Sequence, residues 1–163
     1  MFKLVVRNIL SLSVTGMLLS AFFGGAADAQ GSAPAGGTLV VRIEKVAPEG
    51  IVRLGVYTQA TYPDDNAAPV ASADVPAVGG ETVITLQNVP TGTYAIEVYQ
   101  DLNSNGKVDK NFLGIPKEPY GFSRDARPFL SKPDFARVKF EVGPGQNYQS
   151  VHLQNTAAPV ASN

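Results

Sequence analysis

A run of oxygen-bearing side chains at residues 101–109 is the densest concentration of potential chemistry in the sequence. It reads DLNSNGKVD, which has the spacing D-x-N-x-N-G-x-x-D. In a calcium loop the side chains at positions 1, 3 and 5 point inward, glycine at position 6 permits the turn, and position 7 supplies a backbone carbonyl. The spacing therefore predicts a Ca²⁺ site. Its ligands would be Asp101, Asn103, Asn105 and Asp109, with Lys107 contributing its backbone carbonyl.

Two interpretations of this run stay open. Position 12 is Phe112 where an EF-hand carries a bidentate Glu, and no helix pattern flanks the loop, so an EF-hand is excluded. Glu118 is the residue that could complete the ligand shell. The alternative is a metal-free turn, because Asp and Asn tolerate positive φ and hydrogen-bond their own backbone. Mg²⁺ is disfavoured, since it is seldom held by an all-protein cage.

The segment that follows, residues 112–134, mixes aromatic, proline and basic residues without a strand or helix period. Leaving its many large apolar side chains in water would be costly, which argues against disorder. We predict an ordered flap over one end of the domain, with Tyr120, Phe122 and Arg124 as candidates for binding a small hydrophobic or carbohydrate ligand. The alternative is that the aromatic residues belong to the hydrophobic core and that the basic residues lie around its rim. The apolar side chains are Phe112, Leu113, Ile115, Tyr120, Phe122, Phe129 and Leu130.

Catalytic chemistry has little support in the sequence. His152 is the only histidine, cysteine is absent, and strand alternation places His152 on the solvent face, which argues against a zinc site or a nucleophilic triad. Two carboxylates on one turn fit cation binding better than a division into acid and base. We therefore predict a non-enzymatic protein. A hydrolase using Asp101, Asp109 or Glu118 is the third-ranked alternative.

Alternating apolar and polar residues predict the strands that position these loops. The first two strands, joined by Pro48-Glu49-Gly50, are expected to form a hairpin, and N-V-P-T-G-T-Y is expected to turn between two antiparallel strands. About seven short strands with regular turn signals predict an all-β fold, a single antiparallel β-sandwich with one long ordered loop. The strands are predicted over residues 39–44, 51–57, 75–78, 82–89, 94–98, 135–142 and 148–153.

Two linked motifs carry a resemblance to a known family. They are GTYAIEVYQDLNSNGKVD at residues 92–109 and LGIPKEPYGFS at residues 113–123. Together they resemble domain-of-unknown-function family 2141, a family of short exported bacterial proteins. The resemblance implies an all-β sandwich of prealbumin-like or Ig-like type, and it implies no activity, ligand or catalytic residue. The first motif is also similar to the calcium loops of bacterial surface-adhesin B-type repeats.

The first 29 residues predict a secretory signal peptide. Lys3 and Arg7 precede an apolar run over residues 9–23, and an A-x-A site predicts cleavage after Ala29. The apolar run of about 15 residues is shorter than the roughly 20 needed to span a membrane. A flexible spacer is expected over residues 30–37, the β-sandwich domain over 38–154 and a frayed tail over 155–163. We predict a secreted or periplasmic protein.

The net charge of the exported chain limits the classes of partner that we expect. Without the leader, the counts of basic and acidic residues fall from 13 and 14 to 11 and 13, a net charge near −2. This balance favours neither nucleic acid nor an anionic membrane, and no membrane span remains after signal removal. We predict a binding or structural module of the cell envelope, stabilised by Ca²⁺ at residues 101–109, whose partner is an envelope protein or a small ligand. The alternative is a carrier of a small hydrophobic or carbohydrate ligand under the 112–134 flap.

Overall fold

The computed structural model describes residues 36–129 and 131–154. The predicted signal peptide at residues 1–29, the spacer up to residue 35, Leu130 and the tail at residues 155–163 lie outside the described residues. Strands form nearly all of the regular structure, which confirms the all-β class. They are β1 (Gly37–Val46), β2 (Ile51–Tyr57), β3 (Ala71–Pro76), β4 (Gly80–Val89), β5 (Gly92–Asp101), β6 (Tyr120–Phe122), β7 (Phe140–Val142) and β8 (Gly145–His152).

The strands form two sheets. One sheet has the order β4-β1-β8, and the other has the order β3-β2-β5-β6, with β7 also paired to β5. All pairs are antiparallel except β1 with β8, which run parallel from Gly37 opposite Gly145 to Glu44 opposite His152. That parallel pair departs from the predicted all-antiparallel arrangement.

The two sheets share one hydrophobic core. Alternation along β1 directs Leu39, Val41 and Ile43 into it, and alternation along the other strands does the same. Two sheets that bury a common set of inward-facing residues are the arrangement expected of a sandwich. The core also includes Val52, Leu54, Val56, Ile84, Leu86, Tyr94, Ile96, Val98, Phe140, Val142, Val151 and Leu153.

Strand β5 is buried on both faces. Its residues Ile96 and Val98 belong to the main core, whereas Ala95 belongs to a second cluster on the opposite face. That cluster is completed by residues from the 58–70 loop and from the chain after β6. It comprises Tyr62, Ala95, Phe122, Ala126 and Val138, with Tyr57, Tyr120 and Phe135 packed against it.

The predicted hairpin of the first two strands is wrong. Strands β1 and β2 lie in different sheets, as do β4 and β5, so each short turn carries the chain from one sheet to the other. The amide of Gln100 fixes the first crossing, because it bonds the backbone N–H and C=O of Ala47. Alternation specifies which face of a strand is buried but not which strand lies beside it. The same pattern therefore fits a hairpin within one sheet and a crossing between two sheets.

The predicted strand over residues 135–142 is only partly correct. Residues Phe135–Val138 form one helical turn, α1, and only residues 140–142 form a strand. The helical spacing i, i+3 directs both Phe135 and Val138 towards the second cluster, where the Phe135 ring meets Tyr62 edge-on at 5.8 Å. A strand would place these two residues on opposite faces.

Candidate binding loop between β5 and β6

The connection from β5 to β6 begins at a buried carboxylate. Asp101 is fully buried, with Oδ1 accepting from the N–H of Asn105 at 3.0 Å and Oδ2 from that of Gly106 at 2.8 Å. Gly106 has a φ of +78°, which glycine adopts without strain. The Nε–H of Arg53 also donates to Oδ2, at 2.9 Å. Asp101 therefore anchors the loop to β2.

The pKa of Asp101 reflects two opposing effects. Burial alone raises it, but the hydrogen bonds from Gly106, Arg53 and Asn105 outweigh burial and hold it below the usual range. The same contact with Asp101 is the main cause that raises the pKa of Arg53. Arg53 also pairs with Asp74, which lies directly opposite it on β3.

The other side chains of the run bond one another and their own backbone. Asp109 accepts from the amide nitrogens of Asn103 at 2.7 Å and of Asn105 at 3.1 Å. The amide oxygens of the two asparagines accept from the backbone N–H groups of Asn105 and Lys107. The run therefore contains a series of Asx turns.

Glu118 closes the loop from the other end. It is 3% exposed, and its two oxygens accept from the backbone N–H of Leu102 at 3.0 Å and of Asp109 at 3.1 Å. The sequence indicated Glu118 as a possible metal ligand. Its carboxylate joins the two ends of the Asp/Asn run, and its role as a metal ligand stays a prediction.

The donor set is compatible with calcium only after a local rearrangement. Nitrogens rather than oxygens of Asn103 and Asn105 face Asp109, so both amides would have to turn over to offer oxygen to a cation. Among the described residues, no three acidic, histidine or cysteine side chains come together as a metal-ligand group. A Ca²⁺ site with Asp101, Asn103, Asn105, Lys107 and Asp109 as ligands stays a prediction.

Beyond the Asp/Asn run, residues 110–116 form a short hairpin that we call the tip. Its base is a bridge between Lys110 and Pro116, continued by the N–H of Lys117 donating to the carbonyl of Asp109. Asn111 closes the turn, since its side-chain oxygen accepts from the N–H groups of Leu113 and Ile115. The tip is therefore held by its own hydrogen bonds.

The tip displays large apolar side chains to solvent. Phe112 is 95% exposed, Leu113 is 67% exposed and Ile115 is 42% exposed. The prediction that the apolar residues of the flap are all buried is therefore wrong for these three and for Phe129, which is 80% exposed. The exposed side chains belong to a hairpin whose turn is closed by its own hydrogen bonds rather than by packing of these residues.

The three predicted ligand-binding residues line neither of the two cavities described below. Phe122 belongs to the second cluster with Tyr120 packed edge-on against it, and Arg124, at φ +61°, directs its guanidinium towards the carbonyl of Lys139. Phe122 thus matches the alternative in which the aromatic residues are core. A cavity of about 220 Å³ lies instead beside Tyr62, and a second one of about 360 Å³ lies on the outer face of β1 and β8.

The cavity beside Tyr62 contains a cationic group from the predicted flap. Lys132 donates to Asp65 and to Glu97, both at 2.8 Å, and its ammonium lies 4.6 Å from the centre of the Tyr62 ring. Burial lowers the pKa of Lys132 by itself, but the bonds to Asp65 and Glu97 outweigh it and leave this pKa raised. The Tyr62 hydroxyl is buried without a partner among the described residues.

His152 has partners that its sequence context did not reveal. Nδ1 lies 2.8 Å from Asp125 and Nε2 lies 3.1 Å from Glu44. The prediction of a surface histidine agrees with its partial exposure. Asp125 is 27 positions away and adopts a φ of +52°, so no local sequence signal indicates the pairing.

None of the helices among the described residues is long and apolar enough to cross a membrane. The sequence matches the family model described as an uncharacterized protein conserved in bacteria (DUF2141) over residues 41–150, which is more than half of the chain. No curated protein and no solved structure matches it. The chain therefore belongs to the DUF2141 family, as its two motifs predicted.

Proposed function

We propose that this member of the DUF2141 family is an exported, non-enzymatic binding module of the cell envelope whose contact surface is the tip. The observation that supports this proposal is the exposure of Phe112 and Leu113 at the end of a hydrogen-bonded hairpin. Large apolar side chains displayed together on a protein surface are typical of interaction sites.

The Asp/Asn run acts as the support of the tip. Asp101 fixes its start to Arg53, and Glu118 fixes its end to the backbone of Leu102 and Asp109. A binding loop that is already ordered loses less entropy when its partner binds. Calcium bound to the same run would strengthen this support.

The partners of the acidic residues favour a supporting role over a catalytic one. A hydrolase needs a carboxylate with a raised pKa in a cleft. Asp101 is buried under backbone N–H groups with a lowered pKa, and Glu118 is engaged by two backbone N–H groups. A hydrolase at these residues therefore ranks last.

The cavity beside Tyr62 favours the carrier as the second candidate function. It is lined in part by residues 131–134, the last part of the flap, and holds both an ammonium group and an aromatic ring. A small carbohydrate or hydrophobic ligand could contact both groups. Binding of such a ligand should be lost on Lys132→Met and retained on Phe112→Ser, whereas the tip proposal expects the opposite.

The main proposal can be tested by site-specific photo-cross-linking. A benzophenone amino acid replaces Phe112 in one variant and Asn66, an exposed residue of the 58–70 loop, in the control. After export and irradiation in intact cells, the proposal expects a discrete protein or lipid adduct from position 112 and none from position 66. The same adducts from both positions, or none from either, would refute it.

A further inference from the structure

Three lysines lie in or beside the apolar tip, and none of them forms a salt bridge among the described residues. Asp65, whose pKa is lowered mainly by Lys132, is also attracted more weakly by Lys110. Lys110 and Lys117 flank the hairpin on its two strands, and Lys107 precedes it; all three are exposed. The nearest acidic residues in the chain, Asp109 and Glu118, are engaged by loop amide groups. The exposed end of the loop therefore combines apolar side chains with lysines that form no salt bridge among the described residues.

We propose that the tip inserts into an anionic lipid surface. Phe112 and Leu113 would enter the boundary between headgroups and acyl chains, and the lysines would meet lipid phosphates. This inference rests on the proposed function, since it names the kind of partner that the tip contacts.

The small size of the tip favours a lipid surface over a protein as its partner. A stable protein interface buries about 800 Å² on each partner and uses roughly 20–30 residues a side. The tip offers seven residues, of which Phe112, Leu113 and Ile115 are the large exposed apolar ones. Insertion at a membrane interface needs only a few apolar side chains with basic residues beside them.

The local charge differs from that of the whole chain. The formal net charge of −1 argues against attraction to an anionic surface at long range. Within a Debye length of about 8 Å, however, a surface responds to the nearest charges. Residues 107–118 hold three lysines and two carboxylates, both hydrogen-bonded at the base of the tip.

The absence of tryptophan allows a direct test, because Phe112→Trp introduces a single fluorophore at the tip. The protein is purified after export, so that the predicted leader is removed. It is mixed with vesicles of phosphatidylcholine, with or without 30% phosphatidylglycerol. Val78→Trp, at an exposed position before β4, serves as the control.

With the anionic vesicles we expect a blue shift and quenching by brominated acyl chains for the tryptophan at position 112 only. The double variant Phe112→Ser/Leu113→Ser should bind at least about tenfold more weakly, because its apolar contact is lost. Lys110→Gln and Lys117→Gln should each weaken binding about fivefold, whereas Lys139→Gln, another exposed lysine, should not. Salt at about 0.5 M should reduce binding by screening.

Two results would overturn the inference. If the vesicles bind but the tryptophan at position 112 behaves like the control at position 78, another surface contacts lipid. If no vesicle binds and a protein adduct forms at position 112 in the cross-linking experiment, the tip binds a protein, so the proposed function holds and the lipid inference fails. Failure of both experiments would refute both proposals.

Discussion

The Nε–H of Arg53, in the middle of β2, donates to Oδ2 of Asp101, the last residue of β5, across 2.9 Å. In the register of the two strands Arg53 faces Tyr99, so Asp101 is its diagonal neighbour. The buried carboxylate at the start of the long loop is therefore paired with a cationic side chain of the sheet. This pair connects the rigid part of the fold to the loop that carries the tip.

The first prediction concerns Asp101 and pH. Its pKa in the folded protein lies below its usual value, so its stabilising effect is complete above about pH 4 and is lost as pH falls through the folded pKa. The side chain of Asp101→Asn does not titrate, and its single amide oxygen cannot accept all three hydrogen bonds from Arg53, Asn105 and Gly106. The variant should unfold several degrees lower at pH 7, and the difference in Tm should shrink below pH 4. A difference that does not change with pH would contradict this prediction.

Glu118→Gln should destabilise the loop because an amide offers one acceptor oxygen where the carboxylate offers two. One of the N–H groups of Leu102 and Asp109 would lose its partner, at a cost of about 1–3 kcal/mol. Chemical denaturation measures the loss, and amide exchange should be faster at the base of the tip. Glu49→Gln, at an exposed position, is the matched control. Equal stability of the two variants would show that Glu118 does not hold the loop.

Tyr62→Phe should keep or raise stability, by up to about 1 kcal/mol, because it removes a buried hydroxyl that has no partner among the described residues. The ring would keep its contacts with Phe135 and Lys132. Tyr148→Phe, at an exposed position, is the contrasting case, because the hydroxyl that it removes donates to Gln146. A clear drop in the unfolding free energy for Tyr62→Phe alone would mean that its hydroxyl has a partner.

Calcium should add stability only at millimolar concentrations. The Asp/Asn run is closed by its own hydrogen bonds, so a cation must compete with them, and weak sites of extracellular modules have Kd values of about 0.1–1 mM. At ten times Kd the gain is about 1.4 kcal/mol. Thermal unfolding in EGTA, Ca²⁺ and Mg²⁺ measures it, with Asp109→Asn as the control. No Ca²⁺-specific gain would leave the run as a metal-free turn.

The sequence predicted the buried faces of the strands but not their neighbours. Alternation identified Val41, Val56 and Ile96 as inward residues because its period of two is a local property. Pairing depends on the tertiary path, so neither the parallel β1–β8 pair nor the contact between Arg53 and Asp101 was foreseen. The resemblance, resting on two specific motifs, identified the family correctly.

Exposure of the tip could not be predicted from composition. Hydrophobic residues such as Phe112 and Leu113 are assigned to the core by their transfer free energy. That assignment fails where binding requires a side chain to stay exposed until its partner arrives. The asparagine at position 111 and the glycine at position 114, with φ of +78°, are the local signals of a tight turn in this segment.

Thiol protection in cells shows whether the proposed contact surface, the tip, is covered by a partner. The sequence has no cysteine, so Phe112→Cys and the control Asn66→Cys each carry a single thiol. The rate of maleimide labelling is compared between intact cells that export each variant and the purified protein. We expect labelling in cells to slow at least tenfold at position 112 and not at position 66. Equal rates in cells and in solution at position 112 would contradict it.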